Sequence, residues 1–169
     1  RHQVFLDMIE AAAMHLPRGA VDAFLHLRAL PKAEVERDEI EGGADPAYAD
    51  DQVRLVKRTI TALGVDEGRF PPRQATWFIN AAKDEGKRPD GIDPGYNPST
   101  RTLVDIYRAY EDACKRSGLV DFAELLLRVH ELFLRDDKLL AHYRGRYQHL
   151  LIDEFQDTNT IQFGWLKLF

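Results

Sequence analysis

The sequence predicts a mainly α-helical chain with one β-strand near its C-terminus, the strand belonging to an incomplete α/β unit. Three observations predict this. Apolar residues recur at helical spacing through most of the 169 residues. Near the end, Leu150-Leu151-Ile152 runs straight into Asp153-Glu154, the pattern of a buried strand delivering acids at its C-terminal end, where open α/β sheets bind ligands. No second convincing strand is present to pair with it, so most of its sheet is expected outside the chain. A start at Arg1 rather than Met points the same way.

Each element follows from local pattern. Residues 3–16 place Val4, Met8, Ile9, Ala12 and Leu16 at helical spacing before Pro17, and residues 19–30 repeat the pattern before Pro31. Between Glu34 and Asp51 the acids face Arg37 alone among bases, and Gly42-Gly43 and Pro46 break any periodicity; an acidic, mobile linker is expected. The acids lack the D-x-D-x-D-G spacing of a calcium loop. A helix over 50–63 follows, with Asp50 as N-cap, Val53, Val56, Ile60 and Leu63 as its stripe and Gly64 as its stop. Pro71-Pro72 opens a helix in which Ala75, Phe78, Ile79 and Ala82 share a face. Residues 86–99 carry too many Gly and Pro for regular structure. Residues 100–116 form a helix with Ile106, Tyr107, Tyr110 and Cys114 inside, stopped by Ser117-Gly118. Asp121 and Glu124 have capping-box spacing at the head of a long apolar helix containing Leu125, Leu126, Val129 and Phe133. A shorter helix over 137–147 is rich in Arg and Tyr, and Ile161, Trp165 and Leu168 mark a last helical face.

Composition narrows the function. Hydrophobic residues at 44% and charged residues at 30% suit a soluble globular protein. The net charge of −5 excludes a uniformly basic nucleic-acid coat while leaving room for a local basic face. The single cysteine, Cys114, lies on an apolar stripe; it reads as a core residue, rules out an internal disulfide and fits a reducing cytosol. No run approaches the ~20 apolar residues that cross a bilayer, so no membrane partner is expected.

An Asp at the end of a buried strand, followed directly by Glu, suits phosphoryl transfer. Asp153 can hold Mg²⁺, directly or through water, and Glu154 can act as general base for an attacking water because strand side chains alternate. A metal-dependent hydrolase built on Asp153, Glu154 and Asp157 is disfavoured, since none of the six His has ligand spacing. Along 73–88, Arg73, Trp77, Asn80, Lys83 and Lys87 combine cations with an aromatic, as single-strand and backbone contacts require. Tyr143, Arg144, Arg146 and Tyr147 are a second, weaker candidate.

The string Leu151-Ile152-Asp153-Glu154-Phe155-Gln156-Asp157-Thr158-Asn159 closely resembles the second helicase motif of the UvrD/Rep/PcrA family of superfamily 1 DNA helicases. Asp51–Arg58, Pro71–Ala75, Ile79-Asn80 with Lys83-Asp84-Glu85, and Gly118–Leu126 look like the same type and occur in the family's order, so the resemblance covers about residues 50–169. It implies that Asp153 binds Mg²⁺–ATP, that Glu154 polarises the hydrolytic water, and that Gln156 and Asp157 couple nucleotide state to DNA. It also implies three regions: 1–48 of unclear kinship, 49–147 a helical subdomain facing DNA, and 148–169 a strand-turn-helix piece of a P-loop, RecA-like motor domain. The implied activity is ATP-dependent 3′–5′ unwinding in DNA repair and replication. The implied partners are single-stranded and duplex DNA, ATP and DNA-repair proteins, in the bacterial cytosol at the nucleoid.

The sequence departs from the family pattern: the third motif and the later arginine-bearing motifs are not found, residues 1–48 do not match the region where the early motifs belong, and the phosphate loop is missing. No G-x-x-x-x-G-K-[ST] phosphate loop occurs, and Gly86-Lys87-Arg88 lacks the earlier glycine and the Ser/Thr. The isolated chain is therefore expected to bind ATP poorly and not to hydrolyse it. The competing reading is a non-catalytic helical module that binds DNA or protein and keeps a vestigial acidic motif.

Overall fold

A computed structural model describes residues 46–152 and 155–169. The expectations for the two helices and most of the acidic linker before Pro46, and for Asp153 and Glu154, lie outside the described residues. Six α-helices are described: α1 (Pro46–Ala62), α2 (Pro72–Asp84), α3 (Pro98–Ser117), α4 (Phe122–Arg135), α5 (Asp137–Arg146) and α6 (Thr160–Leu168). Two short 3₁₀ turns accompany them, Pro89–Gly91 before α3 and Phe155–Asp157 before α6. No described helix is long and apolar enough to cross a membrane.

The caps explain most boundaries. Pro72 starts α2 because proline's fixed φ suits the first helical turn and its missing N–H is not needed there. Asn97 caps α3, its Oδ1 accepting from the Ser99 and Thr100 backbone N–H groups at 2.9 and 3.4 Å. Gly118 ends α3 in the left-handed region at φ 65°, and Leu119 N–H donates to the Cys114 carbonyl at 3.0 Å to close the last turn. A Cβ at Gly118 would meet nothing within 4 Å, so Gly118→Ala tests backbone strain alone. The expected result is a loss of about 1–2 kcal/mol, read as a lower urea midpoint with an unchanged slope.

Several elements differ from the sequence reading, among them the 3₁₀ turn at Pro89–Gly91 and the start of α3 at Pro98, both within the stretch 86–99 expected to be irregular. The first described helix, α1, begins at Pro46, four residues before the expected N-cap Asp50, because a proline at a helix start continues rather than breaks the pattern. A further difference is the strand. Leu150–Ile152 has no regular structure, and no strand occurs among the described residues. Leu151 is 99% exposed, with Leu150 and Ile152 at 42% and 43%. The physical reason is pairing: a strand needs neighbours to take its backbone hydrogen bonds, and the described residues supply none.

Apolar packing forms two clusters. One joins α1, α2 and α3 through Val56, Ile60, Phe70, Ile79, Ile106, Tyr107 and Tyr110. The other joins α4, α5 and α6 through Leu126, Val129, Phe133, Leu140, Tyr143, Ile161 and Trp165. Phe133 centres the second cluster, meeting Tyr143, Trp165 and Phe169 edge-on at 5.6, 6.2 and 5.6 Å. Residues on both sides of the expected boundary at 147/148 thus share one core. Cys114 is buried in the first cluster, and burial pushes its thiol up, consistent with a packing role.

Candidate functional site

The acidic motif enters α6 through a tight turn. Gln156 and Asp157 lie in the 3₁₀ turn with both side chains exposed. Phe155 is 53% exposed and packs edge-on against Phe163 at 5.9 Å. Asn159 then caps α6. Its Oδ1 accepts from Gln162 N–H at 2.9 Å, and Gln162 Oε1 accepts from Asn159 N–H at 3.2 Å, a complete capping box. The Asn159 amide also reaches outward, Nδ2 donating to Asp84 Oδ1 at the end of α2 across 3.2 Å. Burial, and secondarily the Asp121 carboxylate, push the Asp84 carboxyl up.

The five residues read as a DNA-facing set along 73–87 are not all brought together. Arg73 is exposed, and Trp77 is 71% exposed on the same helix. Asn80 is half-buried in a reciprocal amide pair with Gln52 of α1, at 2.8 and 3.3 Å. Lys87 is exposed and ion-paired with Glu85 at 2.6 Å. Lys83 departs from the expectation: it is 2% exposed, its ammonium 2.6 Å from Asp121 and 3.1 Å from Glu124, and it points into the protein. An ammonium buried this deeply is stabilised by its two carboxylates and does not reach a phosphate. The weaker set at the C-terminal side is split: Tyr143 turns inward, whereas Arg144 and Arg146 stay exposed and engage neighbouring groups of the protein. Tyr143 is buried in the second cluster, the Arg144 guanidinium donates to the Leu168 carbonyl at 2.6 Å, and Arg146 sits over the Tyr147 ring at 5.5 Å.

Lys83 belongs to an ionic network that the sequence reading missed. Arg88 donates to both oxygens of Glu131 at 2.8 and 3.0 Å, to Glu124 at 2.8 and 3.0 Å and to Glu111 at 2.5 Å. Arg128 donates to Glu124 at 2.6 Å, and the Tyr110 hydroxyl donates to Asp121 at 2.8 Å. The network ties α2, α3 and α4 together between the two apolar clusters. Burial alone would raise the Glu124 carboxyl, but Lys83, Arg88 and Arg128 outweigh it and hold it down to about 2. Asp121 does double work, since its other oxygen accepts from Glu124 N–H at 2.7 Å as the N-cap of α4. The Asp121/Glu124 spacing was legible as a helix start, whereas Glu124 closes no capping box and turns to the cations instead. The i,i+4 pair Glu124–Arg128 was the local hint of this.

The sequence profile of the UvrD/REP helicase N-terminal domain matches residues 3–169, reaching further back than the motifs at 50–169. The chain is 55% identical over 120 residues to DNA helicase II of Escherichia coli, an alignment covering 71% of this chain and 17% of that protein. It is 51% identical to DNA helicase II of Haemophilus influenzae, covering 71% of this chain and 16% of that protein. It is 34% identical over 118 residues to the ATP-dependent DNA helicase PcrA of Leuconostoc citreum, covering 69% of this chain and 16% of that protein. The chain thus spans about a sixth of the length of these relatives.

Proposed function

The chain belongs to the UvrD/REP helicase N-terminal domain family, and from that premise we propose that it is part of an ATP-dependent 3′–5′ DNA helicase. In this reading it supplies the acidic half of the nucleotide site and a helical DNA-facing surface. The observation that carries the proposal is the Leu151–Asn159 motif standing in its family context, close to relatives that are themselves named DNA helicases.

The residues fit Mg²⁺–ATP by their chemistry. Mg²⁺ takes hard oxygen ligands and uses one or two carboxylates, with phosphate oxygens and water completing its shell. Asp153 is the carboxylate that would hold it, with Asp157 exposed in the turn that follows. Bound there, the ion would neutralise charge developing on the phosphates. Glu154 orients the attacking water and takes its proton. Gln156 and Asp157 relay nucleotide state, since their turn leads directly into α6. Leu150–Ile152 supports the fold part of the reading: an exposed apolar run is what a strand looks like without its sheet, so it pairs when the remaining strands of a RecA-like motor domain are present. The missing phosphate loop leaves the isolated chain unable to grip ATP.

The exposed Arg73 and Trp77 on α2 are the DNA-facing pair, with Lys87 beyond the end of the helix; Asn80 and the buried Lys83 hold that helix in place. Binding of a single-stranded oligonucleotide to the chain should weaken steeply as salt rises. Trp77→Ala should weaken it about 10–100-fold at fixed salt through lost base stacking. A flat salt response with an unchanged Trp77→Ala titration removes the DNA-facing claim.

A further inference from the structure

We propose that Asn159 is a positioning residue that ties the acidic motif to the DNA-facing helix through its hydrogen bond to Asp84. The inference rests on the helicase reading for what lies at the two ends of the link; the link itself stands on geometry.

Asn159 lies two residues after the turn that carries Gln156 and Asp157, and Asp84 is the last residue of α2, the helix that presents Arg73 and Trp77. One amide group serves both sides. Its oxygen caps α6 by accepting from Gln162 N–H, and its nitrogen donates to Asp84 across 3.2 Å. Beside it, Gly86 in the left-handed region at φ 74° faces the Ile161 side chain of α6, where an added Cβ would reach Cδ1 at an ordinary contact distance of 3.4 Å. On the opposite side the end of α2 is held by Lys83 against Asp121 and Glu124 at the head of α4. The last turn of α2 is therefore clamped between the N-termini of α4 and α6. A shift in the turn at 155–157 moves the Asn159 cap, and the Asp84 bond carries that shift to α2.

Two substitutions separate capping from bridging. Asn159→Asp keeps a good N-cap, and a carboxylate suits a helix N-terminus, but it sets an acceptor against the Asp84 carboxylate. Adding Asp84→Asn exchanges donor and acceptor and restores the bond. Hydrogen–deuterium exchange on the 169-residue chain reads the result. Asn159→Asp should speed exchange at 81–86 about tenfold, and the double substitution should return it to near the starting rate. If exchange at 81–86 is unmoved by Asn159→Asp, or the double substitution fails to restore it, the bridge is not made.

The second arm adds oligo(dT). Single-strand binding should slow exchange at 73–80 and at 158–163 in the unsubstituted chain, but at 73–80 alone in Asn159→Asp. Equal slowing at 158–163 in both proteins removes the coupling while leaving the DNA face intact. Slowing at neither segment removes the DNA face and the coupling with it, whatever the exchange of donor and acceptor has shown about the bridge.

Discussion

Lys83→Met should destabilise the chain by about 3 kcal/mol or more, measured as a lower urea midpoint. The methionine keeps a stem of similar length against Tyr107 and Tyr110, whose rings lie 5.9 and 5.4 Å from the ammonium. What it removes is the cation facing Asp121 and Glu124, whose side chains are 11% and 7% exposed. Breaking a buried pair from one side costs about 3–5 kcal/mol, because the remaining charge is left without its partner. Acid titration gives an independent check. The Glu124 carboxyl is held in the fold at about 2, below its ordinary value of 4.5. Its contribution is therefore complete above about pH 4.5 and fades as pH falls toward about 2. The gap between the unsubstituted chain and Lys83→Met should narrow across that window. A constant gap from neutral pH to about pH 2 would show that Lys83 acts through packing and not through charge.

Glu154→Gln, in a protein that carries the phosphate loop and the rest of the motor, should lower kcat for ATP hydrolysis about 10²–10⁴-fold while leaving KM for ATP within a few-fold. The amide keeps the size of the side chain and cannot take a proton from water. Asp153→Ala should instead raise the Mg²⁺ concentration needed for turnover, since it removes an oxygen ligand and weakens the hold on the ion. The isolated chain provides the control, with no Mg²⁺-dependent turnover expected. Turnover by this chain alone, abolished by Asp153→Ala, would overturn the division of the nucleotide site proposed above.

The helices were legible because their determinants are local. Pro72, the stripe of Ile106, Tyr107 and Tyr110, Gly118 and Asp121 each act within a turn or two, and each stands where the pattern put it. Lys83 was misplaced for the converse reason. On a helical wheel it can join Arg73 and Trp77, and the carboxylates that draw it inward sit on another helix, Asp121 being 38 residues along the chain. Leu150–Ile152 shows a third limit. An apolar triplet states a preference for burial, whereas a strand also needs a partner backbone, which sequence periodicity does not provide. Asn159 entered the sequence reading only as the end of the acidic string; its cap needs the start of α6 to be known, and its bond to Asp84 depends on where the amide donor points.

The contrast between Trp77 and Trp165 has a practical consequence. The sequence holds two tryptophans. One is 71% exposed on α2, and the other is 5% exposed in the second core, with its indole N–H donating to the Leu126 carbonyl. Their fluorescence should therefore divide into a red-shifted, iodide-quenched component from Trp77 and a blue-shifted, protected one from Trp165. Ligand binding on α2 would be seen in the first colour and loosening of α6 in the second. The unlabelled protein thus carries its own pair of optical probes, one on the surface proposed to meet DNA and one behind the motif proposed to meet ATP.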